Sequence, residues 1–200
     1  MTTTDTTLTS TSTSTSTSTS TSASASASAS ASTIEYAPER PARLQWAQLA
    51  PDVYKAMIRL DTAAKQGLDH RLYELVKIRA SQINHCAFCV DMHSKDALAA
   101  GESVERVIQL SAWDESRHFY TEKEIAALEL TEAVTVLTDG FVPDEVYERA
   151  AKHFEEAELA QLISAIAVIN AWNRFGVSFR MAPGHHQPAQ HAAAGSVGHK

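Results

Sequence analysis

The chain has 200 residues, a formal net charge of −7 and no basic run or stripe, which argues against a nucleic-acid partner. No apolar stretch reads as long enough to span a bilayer, and no basic segment followed by an apolar one marks a secretory signal. These features predict a cytoplasmic protein with no membrane partner, in a reducing compartment where its two cysteines would not form a permanent staple.

Residues 1–33 hold 25 Ser or Thr in a Thr-Ser repeat that passes into a Ser-Ala repeat. Such a tract buries almost no apolar surface to offset the entropy of ordering it, so it reads as a disordered leader dispensable for fold and chemistry. The next 149 residues or so, 34–182, are enough for one domain with one core.

Helical periodicity dominates that domain. Over 41–67, Leu44, Leu49, Val53, Tyr54, Met57, Ile58 and Leu60 suit one or two amphipathic helices with a boundary at Pro51 and a stop at Gly67. Asp69 can cap the following helix, whose Leu72, Leu75, Val76 and Arg79 carry it towards Asn84. A further helix spans about 86–100 and ends at Gly101. Ser103 can cap a short helix with Val104, Val107, Ile108 and Leu110. Thr121 and Glu124 form a capping-box pattern ahead of the face made by Ala126, Leu130, Ala133, Val134 and Leu137. Asp139-Gly140 makes a turn, and Pro143 suits the first turn of the next helix. The last helix, about 158–180, carries Leu159, Leu162, Ile163, Ile166 and Ile169 before Pro183-Gly184. No segment alternates long enough for a strand, so the expected fold is all-α. The tail 183–200, polar and His-rich, reads as disordered, with its histidines solvated.

Both cysteines sit in one Cys86-Ala-Phe-Cys89 motif, and His93 follows four residues later. On a helix, positions three and four apart share a face, so the two sulfurs can meet and the imidazole can take a proton from Cys89 or stabilise its thiolate. On that ground Cys89 should be the more acidic thiol. Glu74, one helix earlier, can orient His93 if the two helices pack antiparallel through a short link at 81–85. Reversible dithiol chemistry is the favoured reading. A zinc site from Cys86, Cys89, His93 and either His85 or Glu74 stays open, as does an inert core pair; four-ligand structural zinc sites usually use a second cysteine pair, which this chain lacks. His85 alone reads as solvent-facing, and Trp113, Trp172 and Phe175 as core. A thioredoxin-like setting would need strands around the motif.

The run from Glu74 through Cys86-Ala-Phe-Cys89 to His93, with Ala100-Gly101-Glu102, Leu110-Ser-Ala-Trp113, the stretch 121–133 and Ile169-Asn-Ala-Trp172-Asn-Arg-Phe175, resembles the AhpD-like alkylhydroperoxidase group of the carboxymuconolactone decarboxylase family. The likeness runs over about 44–180. It implies a single-domain AhpD-like helical bundle assembled as a homo-oligomer, a trimer or hexamer. It also implies hydroperoxide reduction with no cofactor, neither metal nor flavin. By position, Cys89 would attack the peroxide, Cys86 would resolve it into a disulfide, and His93 and Glu74 would form the proton relay. A dithiol reductant, such as a lipoylated protein, would restore the pair. Two positions depart from the group: Phe88 stands where its best-known peroxidases have a histidine, and His85 where many relatives have Gly. The decarboxylase branch lacks the cysteine pair. Other readings of the motif are a general thiol–disulfide oxidoreductase, a redox sensor acting on protein thiols, or a non-catalytic oligomeric scaffold.

Overall fold

A computed structural model describes residues 35–188. The leader expected over 1–33 and the tail beyond Pro188 lie outside the described residues. Residues 38–188 belong to one compact unit, and the described residues hold helices and turns with no strand, as the periodicity predicts.

Eight α-helices follow one another: α1 (Trp46–Leu49), α2 (Pro51–Ala64), α3 (His70–Ile83), α4 (Ala87–Ala99), α5 (Val104–Gln109), α6 (Glu122–Thr135), α7 (Asp144–Ala151) and α8 (Glu156–Phe179). Short 3-10 turns at Leu110–Ala112 and Arg117–Phe119 join α5 to α6. The helix starts follow their caps. Pro51 opens α2, where its missing N–H costs nothing. The Asp69 carboxylate accepts from the Arg71 and Leu72 N–H groups, each at 3.0 Å. Ser103 caps α5, and Thr121 with Glu124 forms the complete capping box of α6. Pro143 sits just before α7 rather than inside it.

The core is built around α3 and α8. Leu75, Val76, Ile78 and Ala80 are wholly buried, because α3 packs against α4, α6 and α8 at once. Leu72 and Val76 meet Ala127 and Leu130 of α6 and Leu159, Leu162 and Ile166 of α8. Leu75 and Ile78 turn to Ala97, Leu110, Trp113 and Leu128. Each such side chain taken from water contributes about 1.5–3 kcal/mol.

Two expectations change here. First, α8 is by length and composition apolar enough to cross a membrane. It is instead the central helix of this bundle, contacting α2, α3, α4, α6 and α7, and it buries Asn173 along with its apolar residues. Second, the stretch 183–188, expected to begin a disordered tail, is tied along α4. The Gly184 N–H donates to Asp91 Oδ2 at 2.9 Å, and Lys95 Nζ donates to the carbonyls of Gly184 and His186, each at 3.3 Å. Arg180, in the left-handed region at φ 55°, turns the chain out of α8 into this strap.

Candidate active site

The α3–α4 connection sets the site. Past the end of α3, the His85 N–H donates to the Gln82 carbonyl and the Cys86 N–H to the Ser81 carbonyl, at 3.2 and 3.0 Å. This is a Schellman turn, and its left-handed residue is His85, at φ 54°. Glycine fills that conformation most easily, and here a histidine takes it. His85 itself is exposed, as expected. The turn delivers Cys86 directly as the N-cap of α4, with Cys89 in its first turn.

The two sulfurs lie 2.6 Å apart and are both buried. The thiols are free rather than joined. Across the α3–α4 pair, Nδ1 of His93 lies 2.8 Å from Oε2 of Glu74, with both side chains buried. The sequence-predicted residues thus form two adjoining pairs, the cysteines and the Glu74–His93 couple.

The acidity of the thiols is the reverse of the expectation. A hydrogen bond links the two sulfurs, and this contact with Cys89 lowers Cys86 to about 7 although burial opposes it. The Cys89 backbone N–H, at the start of α4, donates to the same sulfur. Cys89 is pushed up, by the same sulfur–sulfur contact and by burial. Proximity in sequence to His93 does not make Cys89 the acid: among the described residues no hydrogen bond joins His93 to either sulfur, since its Nδ1 serves Glu74. Burial also lowers the pKa of His93, against the pull of the Glu74 carboxylate, so the imidazole is neutral at neutral pH.

Three further residues complete the thiol environment, and sequence reasoning did not single them out. The buried Asn173 amide favours the charged form of both thiols. It is held by its own N–H bond to Ser81 Oγ and by the amide of Asn84, both at 2.9 Å. Gly176, one turn on, leaves room for the sulfurs: a Cβ there would lie 2.6 Å from Cys86 Sγ and 3.5 Å from Cys89 Sγ. The buried Lys77 ammonium donates to Asp61 Oδ1 at 2.7 Å and to the Tyr73 hydroxyl at 2.8 Å. Its charge favours the Cys89 thiolate and opposes protonation of His93. The available signals were a glycine and two asparagines inside an apolar helix, and a lysine on the buried face of α3.

A cavity of about 580 Å³ opens beside this site. Glu74, Lys77, Tyr73 and His93 line it together with Tyr54, Met92, Phe88 and Trp172. Phe88 and Trp172 also pack on the cluster that contains Cys86 and Cys89, so they stand where the cavity adjoins the sulfurs. The zinc arrangement on the cysteines is not assembled. Among the described residues, the one metal-competent grouping of three is Glu74, His93 and Asp96, without either sulfur.

The model of the carboxymuconolactone decarboxylase family matches residues 51–133. The chain is 41% identical over 137 residues to the uncharacterized protein YdfG of Bacillus subtilis, covering 68% of this chain and 92% of that protein. It is 33% identical over 60 residues to the alkyl hydroperoxide reductase AhpD of Coxiella burnetii, spanning 28% of this chain and only 34% of that one. A crystal structure of an Agrobacterium tumefaciens protein of unknown function, suggested there to be the antioxidant defence protein AhpD, is 39% identical. It superposes with a TM-score of 0.70 over 73% of this chain and all of the other. An uncharacterized peroxidase-related protein from Ralstonia eutropha, at 18% identity and a TM-score of 0.62 over 70% of this chain and 75% of that one, shares the fold.

Proposed function

Because the chain belongs to the carboxymuconolactone decarboxylase family, in its AhpD-like group, we propose that it is a thiol peroxidase that reduces hydroperoxides through a Cys86–Cys89 dithiol/disulfide cycle. The observation that carries this reading is the pair of free sulfurs 2.6 Å apart, next to a buried Glu74–His93 couple.

The pair loses its first proton near neutral pH, and the remaining proton is shared across the sulfur–sulfur contact. Passing that proton to Cys86 makes Cys89 the nucleophile and Cys86 its internal base. The Cys89 thiolate attacks the terminal peroxide oxygen and the O–O bond breaks. Cys89 becomes a sulfenic acid, and an alkoxide leaves. A proton from solvent at the cavity mouth passes to His93, which Glu74 orients, and from the imidazole to the alkoxide, leaving the alcohol. The Cys86 thiol then displaces hydroxide from the Cys89 sulfenic acid; the thiol proton joins it as water and the disulfide forms. A dithiol reductant returns the pair to its starting state.

Burial separates this reading from a general thiol–disulfide exchanger. Cys86 and Cys89 are 1% and 2% exposed, out of reach of a folded protein's disulfide. A hydroperoxide and a slender dithiol arm, such as a lipoyl group on a partner protein, fit a cavity of this size. The wall of Phe88 and Trp172 favours an alkyl group on the peroxide. Leu49, Val53 and Leu60 expose apolar surface on α1 and α2, which supports assembly as a homo-oligomer, a trimer or hexamer. Free thiols in such a cycle suit the reducing cytoplasm. The test is steady-state peroxide consumption with a small dithiol: the wild type turns over and Cys89→Ser does not. Phe88→His, which restores a relay histidine, should raise the rate on small peroxides; an unchanged rate assigns Phe88 to the substrate wall alone.

A further inference from the structure

The peroxidase reading uses one imidazole–carboxylate pair at the cavity, and the structure holds a second beside it. His186 Nε2 lies 2.7 Å from Asp96 Oδ1. Asp96 is one turn after His93 on α4, and one ligand-capable atom each of Glu74, His93 and Asp96 lie within 4.8 Å of one another. Both histidines and both carboxylates line the same cavity. His93 is 4% exposed, and its Nδ1 lies 2.8 Å from Oε2 of the equally buried Glu74, so an imidazole nitrogen and a carboxylate oxygen already stand side by side. The strap that brings His186 is fixed by Asp91 and Lys95, so this fourth side chain is placed rather than loose. Neither Asp96 nor His186 has a part in the thiol chemistry.

We propose that Glu74, His93, Asp96 and His186 form a binding site for a divalent first-row transition ion of the zinc type. Two imidazole nitrogens and two carboxylate oxygens suit such an ion, whereas magnesium and calcium prefer oxygen alone. The two carboxylates balance its charge. Zinc bonds of about 2.0–2.2 Å place tetrahedral ligand atoms roughly 3.4 Å apart, so ligand atoms now within 4.8 Å of one another need to close by up to about 1.4 Å. Asp96 and His186, both partly exposed, lie on α4 and on the strap outside the core and can supply that movement by side-chain rotation.

An ion bound to His93 takes that imidazole away from proton transfer. On the peroxidase reading, which this consequence alone rests on, the ion is therefore an inhibitor, and peroxide reduction and ion binding exclude one another.

Calorimetric titration of zinc into the full-length chain carrying Cys86→Ser and Cys89→Ser tests the site with no thiol available as a competing ligand. One zinc should bind per chain. Asp96→Asn and His186→Ala in that background should each weaken binding by at least about tenfold, while His191→Ala with His199→Ala leaves it unchanged. Absence of saturable binding overturns the proposal. So does binding that is indifferent to Asp96→Asn and His186→Ala, or that is lost only with the distal tail histidines. In the wild-type chain zinc should slow peroxide consumption, and His186→Ala should relieve that inhibition. A chain that binds zinc as expected but consumes no peroxide upholds the ion site and rejects the peroxidase reading.

Discussion

A Cβ on Gly176 would stand 2.6 Å from the sulfur of Cys86, closer than any carbon and sulfur rest without a bond. In the interior of α8 this glycine costs about 0.5–1 kcal/mol relative to alanine. The helix bears that cost where it crosses the thiol pair. Gly176→Ala should therefore not stabilise the protein, as it would at an ordinary helical position. It should lower stability by about 1–3 kcal/mol, the usual cost of overpacking a tight core, and displace the sulfurs. Urea denaturation of the reduced protein measures the sign. A stabilising effect would mean that the sulfurs have room to spare.

The thiol pair should release its first proton near pH 7, because the hydrogen bond between the sulfurs lowers Cys86. Thiolate ultraviolet absorbance against pH should rise by one thiolate per chain around that value, with the second thiolate forming only at far higher pH. Cys89→Ala removes this contact and should shift the first midpoint upward. A midpoint unmoved by Cys89→Ala would assign the acidity of Cys86 to its place at the start of α4.

His93 links the site to acid stability. Burial holds its folded pKa below the ordinary 6.5. As pH falls below about 6.5 the unfolded chain takes up a proton at this residue and the folded chain does not, so stability declines with falling pH from that point down to the folded pKa. Urea melts at a series of pH values should show a shallower acid decline in His93→Ala than in wild type over that window. The same variant should slow peroxide turnover by about 10²–10⁴-fold, the usual worth of a positioned acid–base group. An equal acid decline in both proteins would mean that His93 is protonated in the fold.

His85 occupies the left-handed position of the Schellman turn that presents Cys86. A non-glycine residue there costs about 1–2 kcal/mol, so His85→Gly should raise the melting temperature while leaving peroxide turnover intact. A drop in stability would reveal a contact of the His85 ring that matters more than its backbone.

These relationships separate what the sequence makes legible from what it hides. The caps at Asp69, Ser103 and Thr121, the break at Pro51 and the meeting of Cys86 with Cys89 follow from local periodicity and spacing, whereas the Glu74–His93 contact depends on the packing of α3 against α4, which spacing alone does not establish. Asn173, Gly176 and His186 act through contacts spanning roughly ninety residues, such as Asn173 with Ser81 and His186 with Asp96, and spacing along one helix carries no trace of such contacts. The composition of α8 is equally silent on its setting, because burial inside a bundle and burial in lipid select similar residues. Spacing does not reveal the direction of thiol acidity, because that depends on which sulfur receives the hydrogen bonds at the start of α4 rather than on which lies nearer His93 in sequence.

In the proposed cycle Cys86 and Cys89 together give two electrons to a hydroperoxide. Addition of one equivalent of an alkyl hydroperoxide to the fully reduced protein, followed by thiol counting and peptide mass analysis, tests it most directly. The account predicts that the peroxide disappears, that both thiols are lost together, and that the peptide holding Cys86 and Cys89 is lighter by two hydrogens. Cys86→Ser under the same conditions should stop at a sulfenic acid on Cys89. Peroxide that persists beside two unreacted thiols, or a sulfenic acid that collects on Cys86 in Cys89→Ser at the wild-type rate, would contradict it.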